Sequence, residues 1–165
     1  MIITLISRKN TLTTPEKIAK WRVLFDLNVV LDVLMRREPH FSNAARLWSL
    51  AETEQIKGLI AGHSFTTLFY LYRRQTGQER AYQAIRKLLR VFAVAGVDQK
   101  VIETACDLGW QDFEDTVQAT AASGAGCHYL VTRNSGDYSD QQLTVIQPAD
   151  FLAVWVAKAE EEADP

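Results

Sequence analysis

Five short apolar segments alternate with segments of helical pattern, and this alternation constrains the fold more than any other feature of the sequence. The strand candidates are Val23–Phe25, Leu59–Ala61, Val91–Val94, Tyr129–Thr132 and Leu143–Ile146. Parallel strands need a crossover connection, usually a helix, and such helices cover the faces of the sheet. We therefore predict an α/β fold: a three-layer α/β/α sandwich with a central parallel sheet.

The composition suits one domain with a hydrophobic core. The chain has 165 residues, of which 47% are hydrophobic, and its 18 basic and 20 acidic residues give a net charge of -2. This balance excludes a wholly basic nucleic-acid binder, so any RNA contact must come from a local patch. Two cysteines are too few for a disulfide scaffold and lack the spacing of a zinc site. With no apolar run of about 18 residues and no secretory signal pattern, we expect a cytoplasmic protein without a membrane span.

The sequence divides into three parts. We assign residues 1–21 to an N-terminal extension whose order the sequence leaves open; it contains a strand candidate at Ile2–Ile6 and a helix start at Thr14–Glu16. Residues 22–157 are expected to form the single domain. Residues 158–165 are expected to be a solvated acidic tail.

Acidic and amide side chains follow two of the predicted strands. Asp26 and Asn28 come just after the first strand, and Asn134 and Asp137 come just after the fourth. A third segment, residues 112–115, opens a helix with the acids Asp112, Glu114 and Asp115. Because ligands of such sheets bind outside the carboxyl ends of the strands, we expect these side chains to meet at one edge.

The chemistry of such a cluster follows from its ligand types. Crowded carboxylates repel one another unless a cation neutralises them, and an all-oxygen set favours Mg²⁺ or Mn²⁺ over zinc. A bound divalent ion activates water and offsets charge on a phosphodiester. The predicted chemistry is therefore metal-assisted phosphodiester hydrolysis.

Each residue of the cluster also has a purely structural interpretation. An acid or amide after a strand is often a helix cap, and Asn28 is placed to cap a helix over residues 29–35. Acids in a first helical turn complement the helix dipole, and Asn134 and Asp137 are ordinary turn residues. Convergence of three separate segments at one sheet edge favours a functional site, because independent capping does not require it.

The same segments resemble the motifs of PIN domains. Val23–Leu34 resembles their opening motif, Asp112–Ala119 their later acidic helix, Leu130–Tyr138 their fourth-strand motif and Val145–Leu152 their closing segment. The ordered set covers residues 22 to about 153. It is most similar to bacterial PIN proteins of the VapC ribonuclease group, the toxins of toxin–antitoxin pairs.

This resemblance implies a ribonuclease that depends on Mg²⁺ or Mn²⁺ and carries its site on the acids described above. The residues expected to be catalytic are Asp26, Asp115, Asn134 and Asp137, and the expected metal ligands are Asp26, Asp112, Glu114 and Asp115. Within this set, Asn134 or Asp137 is expected to orient the attacking water. The expected supporting residues are Asn28, Asp32, Thr67 and Thr132.

The sequence departs from the VapC pattern at one position. The helix after the second strand usually carries a glutamate in these toxins, but here the aligned residue is Thr67, and no acid occurs between Gln55 and Glu79. Glu114 or Asp112 is the candidate replacement. Without one, the chain is a catalytically weakened PIN-like module that binds RNA or protein. A haloacid-dehalogenase-like phosphatase is disfavoured, because Asn28 stands where it needs a second acid.

Expected partners are RNA, a cognate antitoxin and a second copy of the chain as a homodimer. Basic residues interleaved with tyrosines follow the second strand, and Arg73, Arg74 and Arg133 are candidate RNA-binding residues. An antitoxin is expected to cover the acidic edge, inserting a basic side chain among the carboxylates. The three histidines, His40, His63 and His128, are scattered and are assigned no chemistry.

Overall fold

The computed structural model describes residues 21–138 and 143–163, so the strand and helix candidates within residues 1–20 lie outside the described residues. The elements in chain order are β1 (Arg22–Phe25), α1 (Leu27–Leu34), α2 (Phe41–Glu52), β2 (Lys57–Ala61), α3 (Ser64–Thr76), α4 (Gln78–Val91), β3 (Ala93–Ala95), α5 (Gln99–Leu108), α6 (Phe113–Gly124), β4 (Tyr129–Val131), β5 (Thr144–Ile146) and α7 (Pro148–Ala163). Across these ranges, no helix combines the length and apolarity needed to cross a membrane.

The five strands form one parallel sheet in the order β3-β2-β1-β4-β5. The chain moves outward from β1 to β2 and β3, and then returns to place β4 on the other side of β1. The strand order therefore reverses between β1 and β4. In open parallel sheets, this reversal point leaves a crevice at the carboxyl ends of the strands, where ligands bind.

Alternation along the strands builds two cores, one on each face of the sheet. On β1, Val23 and Phe25 point into one core and Leu24 into the other. The first, which we call the aromatic core, contains Phe25, Trp48, Phe92, Phe151 and Trp155. The second, the alanine core, contains Ala61, Ala95, Ala119, Ala121 and Ala122. Helices α1–α4 and α7 contribute to the aromatic core, and α5 and α6 cover the opposite face, so the predicted three-layer α/β/α fold is confirmed.

Two local predictions were wrong. The third strand is Ala93–Ala95 and not Val91–Val94, because Val91 completes α4 and Phe92 turns into the aromatic core, with ring centroids 4.9 Å from Phe25 and 5.0 Å from Trp48. Asn28 does not cap α1. The helix begins at Leu27, so the N-cap position falls on Asp26, whose carbonyl oxygen accepts the Val30 N–H at 3.2 Å.

The two ends of the described chain pack together. Trp21, which we had assigned to the N-terminal extension, lies with its ring centroid 5.1 Å from Tyr129 and 5.6 Å from Trp155. Helix α7 continues through the acidic segment to Ala163, with Glu160 and Glu161 exposed. The aromatic core thus includes the residue that precedes β1 and the face of the last helix.

Gly58 in β2 offers a test of the packing between the sheet and α2. A Cβ atom at this position would lie 2.7 Å from Phe92 Cδ1 and 2.9 Å from the Ala51 Cβ. Overpacking of this kind costs about 1–3 kcal/mol, and each kcal/mol lowers the melting temperature of a domain this size by about 2–4 °C. We expect Gly58→Ala to show this loss in thermal unfolding. Gly124→Ala is the matched control, since its Cβ would meet no atom within 4 Å; an equal loss in both variants would contradict this account of the packing.

Candidate active site

The pairing of β1 with β4 brings the first predicted acid to the crevice. Phe25 lies opposite Val131 in the register, so the residues that follow them, Asp26 and Thr132, emerge side by side. The Asp26 N–H donates to the Val131 carbonyl oxygen at 2.9 Å, and the Thr132 hydroxyl donates to Asp26 Oδ2 at 3.1 Å. The Asn134 N–H in turn donates to Thr132 Oγ1 at 3.2 Å. Asp26, Thr132 and Asn134 are thus joined in one hydrogen-bonded chain.

Asp26 is buried, with only 6% of its surface exposed. Although it stands at the N-cap position of α1, its carboxylate makes no side-chain cap hydrogen bond. Its second oxygen, Oδ1, instead accepts from Gln118 Nε2 at 3.3 Å. Capping explains the place of Asp26 in the chain, but it does not explain where the carboxylate points.

A two-residue bridge connects Asp26 to the acidic helix. Gln118 Nε2, which donates to Asp26, lies 2.8 Å from the Tyr138 hydroxyl oxygen, and that hydroxyl donates to Asp115 Oδ1 at 2.8 Å. Gln118 is fully buried in α6, and Tyr138 follows the turn after β4. Asp26 and Asp115, 89 residues apart along the chain, therefore face one region of the molecule.

The three acids at the start of α6 lie close to one another. Carboxylate oxygens of Asp112, Glu114 and Asp115 all lie within 4.8 Å of one another. Asp112 also caps the helix, because its Oδ1 accepts the Asp115 N–H at 3.1 Å. Glu114 Oε1 is 3.0 Å from His63 Nε2, at the beginning of α3. Asp112 is therefore the N-cap of α6, and Glu114 and Asp115 lie in its first turn, where the helix dipole favours acids as the structural interpretation expects.

Burial and mutual repulsion raise the pKa values of the site's acids. Burial is the main cause of the raised pKa of Asp26, and the negative charge of Glu114 adds to it, while hydrogen bonds from Gln118 and Thr132 partly offset both. The pKa of Asp115 is raised by burial and by the neighbouring acids, against the hydrogen bond from Tyr138. The pKa of Tyr138 is raised far above that of an ordinary tyrosine, chiefly by burial, so its hydroxyl remains protonated and keeps donating to Asp115.

These residues fit a divalent cation. The candidate ligands are all oxygen atoms, as Mg²⁺ and Mn²⁺ prefer. The carboxylates of Asp112, Glu114 and Asp115 lie within the span of one ion. The raised pKa values of Asp26 and Asp115 show anions whose charge is incompletely compensated by their neighbours. A cation at this edge would supply that compensation.

A cleft of about 250 Å³ opens beside Asp26. Its lining residues are Asp26, Asn28, His40, Thr132, Arg133 and Asn134. Asp32 is buried in α1 and does not line the cleft. Its Oδ1 lies 3.6 Å from Nη1 of Arg133, which does. Asp137 ends a short 3₁₀ turn at Ser135–Asp137, and the placement of its side chain lies outside what the structure describes.

Three further predicted residues lie on α3. Thr67 is exposed on α3. Arg73 and Arg74 lie in the last turn of the same helix. Arg73 is ten residues after His63 in the printed sequence, which at 1.5 Å per residue is roughly 15 Å along the helix.

Four residues that received no role from the sequence contact or border the site: His40, His63, Gln118 and Tyr138. His63 had a usable signal, because it lies two residues after β2 and therefore at the same sheet edge as Asp26. Gln118 also had one, since it lies three residues after Asp115 and so on the same face of α6. The role of Tyr138 depends on how the chain turns after β4, which the sequence pattern does not specify.

The buried charge of Asp26 generates a prediction about stability. Because its pKa in the folded state is raised above the ordinary 3.8, the folded protein binds this proton more tightly than the unfolded chain does, and stability falls as pH rises through the raised value. Asp26→Asn removes that charge, and a flipped Gln118 amide can accept from the new side chain. We expect Asp26→Asn to unfold at a higher temperature than wild type at neutral pH, with the difference closing as pH falls toward 3.8. Asp107→Asn, an exposed acid on α5, should show no such pH-dependent difference; a constant difference for Asp26→Asn would contradict the prediction.

Comparison with known proteins places this geometry in a family. The profile of the PIN domain matches residues 22–136. The chain is 20% identical over 139 residues to Ribonuclease VapC1 of Aquifex aeolicus (strain VF5), an alignment covering 81% of this chain and 95% of that protein.

Among solved structures, the chain is similar to a toxin–antitoxin complex from Klebsiella pneumoniae, with a TM-score of 0.59, 18% identity and coverage of 76% of this chain and 97% of the other. It is also similar to VapC20 of Mycobacterium tuberculosis, described as a sarcin–ricin loop cleaving toxin, with a TM-score of 0.54, 16% identity and coverage of 66% and 86%. At these identities the likeness establishes the fold. Since the profile spans the first four strands and the acidic helix that carry the candidate site, this chain belongs to the PIN domain family.

Proposed function

We propose that this protein is a divalent-metal-dependent endoribonuclease and the toxin of a toxin–antitoxin pair. The observation that carries the proposal is the buried Asp26 carboxylate at the crevice between β1 and β4, connected through Gln118 and Tyr138 to Asp115. Membership of the PIN domain family supports nuclease chemistry, and the similarity to a protein named Ribonuclease VapC1 supports RNA as the substrate.

The proposed ligands of Mg²⁺ or Mn²⁺ are Asp26 and Asp115, with Glu114 or Asp112 completing the set. The chemistry supplied by such a cation is activation of water and neutralisation of charge on the phosphodiester. Thr132 and Gln118 hold the two oxygens of Asp26 in fixed directions, and Tyr138 does the same for one oxygen of Asp115. Asn134 or Asp137 orients the attacking water, and Asn28 borders the cleft as a supporting residue.

Glu114 is a candidate for the acid that the sequence lacks at Thr67. It lies at the start of α6 with Asp115, and His63 holds one of its oxygens at 3.0 Å from the other side. In this proposal, α3 contributes an imidazole that fixes a carboxylate of α6 instead of contributing a carboxylate of its own. Thr67 itself, exposed on α3, has only a supporting role.

A binding module without turnover is the second candidate function. It is favoured by the engagement of Glu114 with His63 and of Asp112 with the helix cap, because both contacts compete with a metal for carboxylate oxygens. Such a module would bind RNA or protein through the PIN fold. It would neither bind Mn²⁺ tightly nor cleave RNA.

The proposed partner of the toxin is an antitoxin that covers the acidic edge. Burial and neighbouring acids raise the pKa values of Asp26 and Asp115, so an inserted lysine or arginine would stabilise their ionised forms. The similarity to a toxin–antitoxin complex from Klebsiella pneumoniae supports a partner of this kind. Co-purification of this protein with the product of a neighbouring small reading frame tests the antitoxin proposal. We also expect the protein to form a homodimer.

The first functional prediction concerns Asp26. We expect wild type to cleave single-stranded RNA with Mg²⁺ or Mn²⁺ and to stop in chelator, and Asp26→Asn to lose at least about 100-fold in rate, since even outer partners of metal ligands matter by about 10–100-fold. Asp107→Asn is the matched control and should retain wild-type cleavage. Gel analysis of a labelled RNA gives the rates, and calorimetric titration with Mn²⁺ gives metal affinity on the same samples.

The two candidate functions differ in these measurements. Metal-dependent cleavage that Asp26→Asn abolishes supports the ribonuclease. Folded wild-type protein that binds RNA, ignores Mn²⁺ and cleaves nothing supports the binding module and overturns the enzyme proposal. Cleavage that persists in Asp26→Asn would place the reaction elsewhere in the molecule.

The second functional prediction concerns Tyr138. Tyr138→Phe removes the hydroxyl that donates to Asp115 and accepts from Gln118, while leaving the ring beside Trp110 at a centroid separation of 6.1 Å. We expect Mn²⁺ affinity to fall by about 10–100-fold, because Asp115 loses the contact that orients it. Tyr82→Phe, an exposed tyrosine on α4, is the control. Unchanged Mn²⁺ affinity in Tyr138→Phe would show that the bridge does not prepare the metal site.

A further inference from the structure

Asp32 is a buried acid that the proposed metal chemistry does not use. It lies in α1 with none of its surface exposed, and among the described residues neither of its carboxylate oxygens accepts a hydrogen bond. Its neighbours in the helix, Val29, Val30 and Leu31, are core residues. A buried carboxylate without hydrogen bonds is costly, so its position requires compensation by nearby charge.

Basic side chains from two separate segments lie near Asp32 and supply part of that compensation. Arg133, just after β4, places Nη1 3.6 Å from Asp32 Oδ1. Arg37 and His40, in the connection between α1 and α2, also interact favourably with the Asp32 charge, and all three lower its pKa against the larger effect of burial. Asp32 therefore draws the β4 turn and the α1–α2 connection toward one point.

Two of these three basic side chains also border the cleft that contains Asp26. Arg133 and His40 line it together with Asp26 and the polar side chains of Asn28 and Asn134. The Arg133 side chain is 29% exposed, so part of it remains accessible while its Nη1 is paired with the buried Asp32. The cleft is thus lined by both the Asp26 carboxylate and a guanidinium, that of Arg133, which is paired with Asp32.

We propose that Arg133 and His40 form a phosphate-binding subsite for a nucleotide next to the scissile bond, and that Asp32 is a positioning residue that fixes Arg133 for this contact. The proposal rests on the proposed ribonuclease function, because the subsite would be a second point at which the RNA substrate is bound. The fork of a guanidinium matches two phosphate oxygens, and a partner behind it reduces the entropy lost when RNA binds. In this proposal the acidic residues of the site bind the cation and the scissile phosphodiester, and the subsite binds the adjoining backbone phosphate.

The subsite is tested by RNA binding in chelator, so that no cleavage occurs. A fluorescein-labelled single-stranded oligouridylate is titrated with protein, and anisotropy is followed over a range of salt concentrations. We expect Arg133→Gln to weaken binding roughly tenfold and to reduce the slope of log affinity against log salt by about 0.7, the value for one phosphate contact on a single strand. His40→Gln should weaken binding less. Arg46→Gln removes an exposed arginine from α2, on a different surface, and is the matched control.

Substitution of Asp32 gives the sharper test, because two explanations of its role predict opposite changes in RNA affinity. If it acts only as a negative charge near a polyanion, Asp32→Asn strengthens RNA binding. If it positions Arg133, Asp32→Asn weakens binding, and the double variant with Arg133→Gln binds no more weakly than Arg133→Gln alone. Circular dichroism and thermal unfolding identify folded variants. Should Asp32→Asn fail to fold, Arg133→Lys is used instead, and it should restore the salt slope but only part of the affinity.

The outcomes separate this inference from the ribonuclease proposal. RNA cleavage by wild type with unchanged RNA affinity in Arg133→Gln overturns the subsite and leaves the enzyme standing. Loss of affinity in Arg133→Gln without any cleavage by wild type supports the subsite in a binding module. Absence of RNA binding by wild type at low salt, or equal losses in Arg133→Gln and Arg46→Gln, also overturns the subsite. A single-stranded DNA probe should lose affinity in parallel, because the contact is to phosphate and not to the 2′-hydroxyl.

Discussion

The parallel pairing of β1 with β4 is the contact on which the candidate site depends. It sets Asp26 beside Thr132, and it does so where the strand order reverses and the helix layers leave a crevice. Thr132 in turn receives the Asn134 N–H, so the turn that follows β4 begins from the same point. The sheet therefore fixes Asp26 beside Thr132, and the hydrogen bond from Asn134 connects the following turn to this pair.

The site uses neutral and charged neighbours in different ways around two buried acids. Asp26 receives hydrogen bonds from the uncharged side chains of Thr132 and Gln118, while burial and the nearby charge of Glu114 raise its pKa. Asp32 has no hydrogen bond among the described residues but faces Arg133 and other cations. The first environment suits an ion that arrives from solution. Asp32 is instead compensated in part by basic side chains of the chain itself, which distinguishes this structural acid from the candidate ligand Asp26.

The strand–helix alternation predicted the sheet, its parallel direction and the meeting of three segments at one edge. These features depend on local hydrophobic patterns, which the sequence displays directly. The start of α1 was missed because Asp26 and Asn28 are both good caps, and the difference lies in how abruptly the chain leaves β1. The strand at Ala93–Ala95 was shifted because Val91 and Phe92 are as typical of a strand as the residues that form it. The Gln118–Tyr138 bridge depends on long-range packing, which no pattern within one element records.

The alanine core has a consequence for the spacing of the acids in the candidate site. Ala119, Ala121 and Ala122 let α6 lie close against the sheet, and the same helix carries Asp115 at its first turn. The thickness of that layer thereby sets how far Asp115 stands from Asp26. Interiors are packed too densely to absorb an added methylene without movement. A larger side chain at Ala119 would displace α6 and change the distance between Asp26 and Asp115, so the geometry of the candidate site depends on a buried residue outside it.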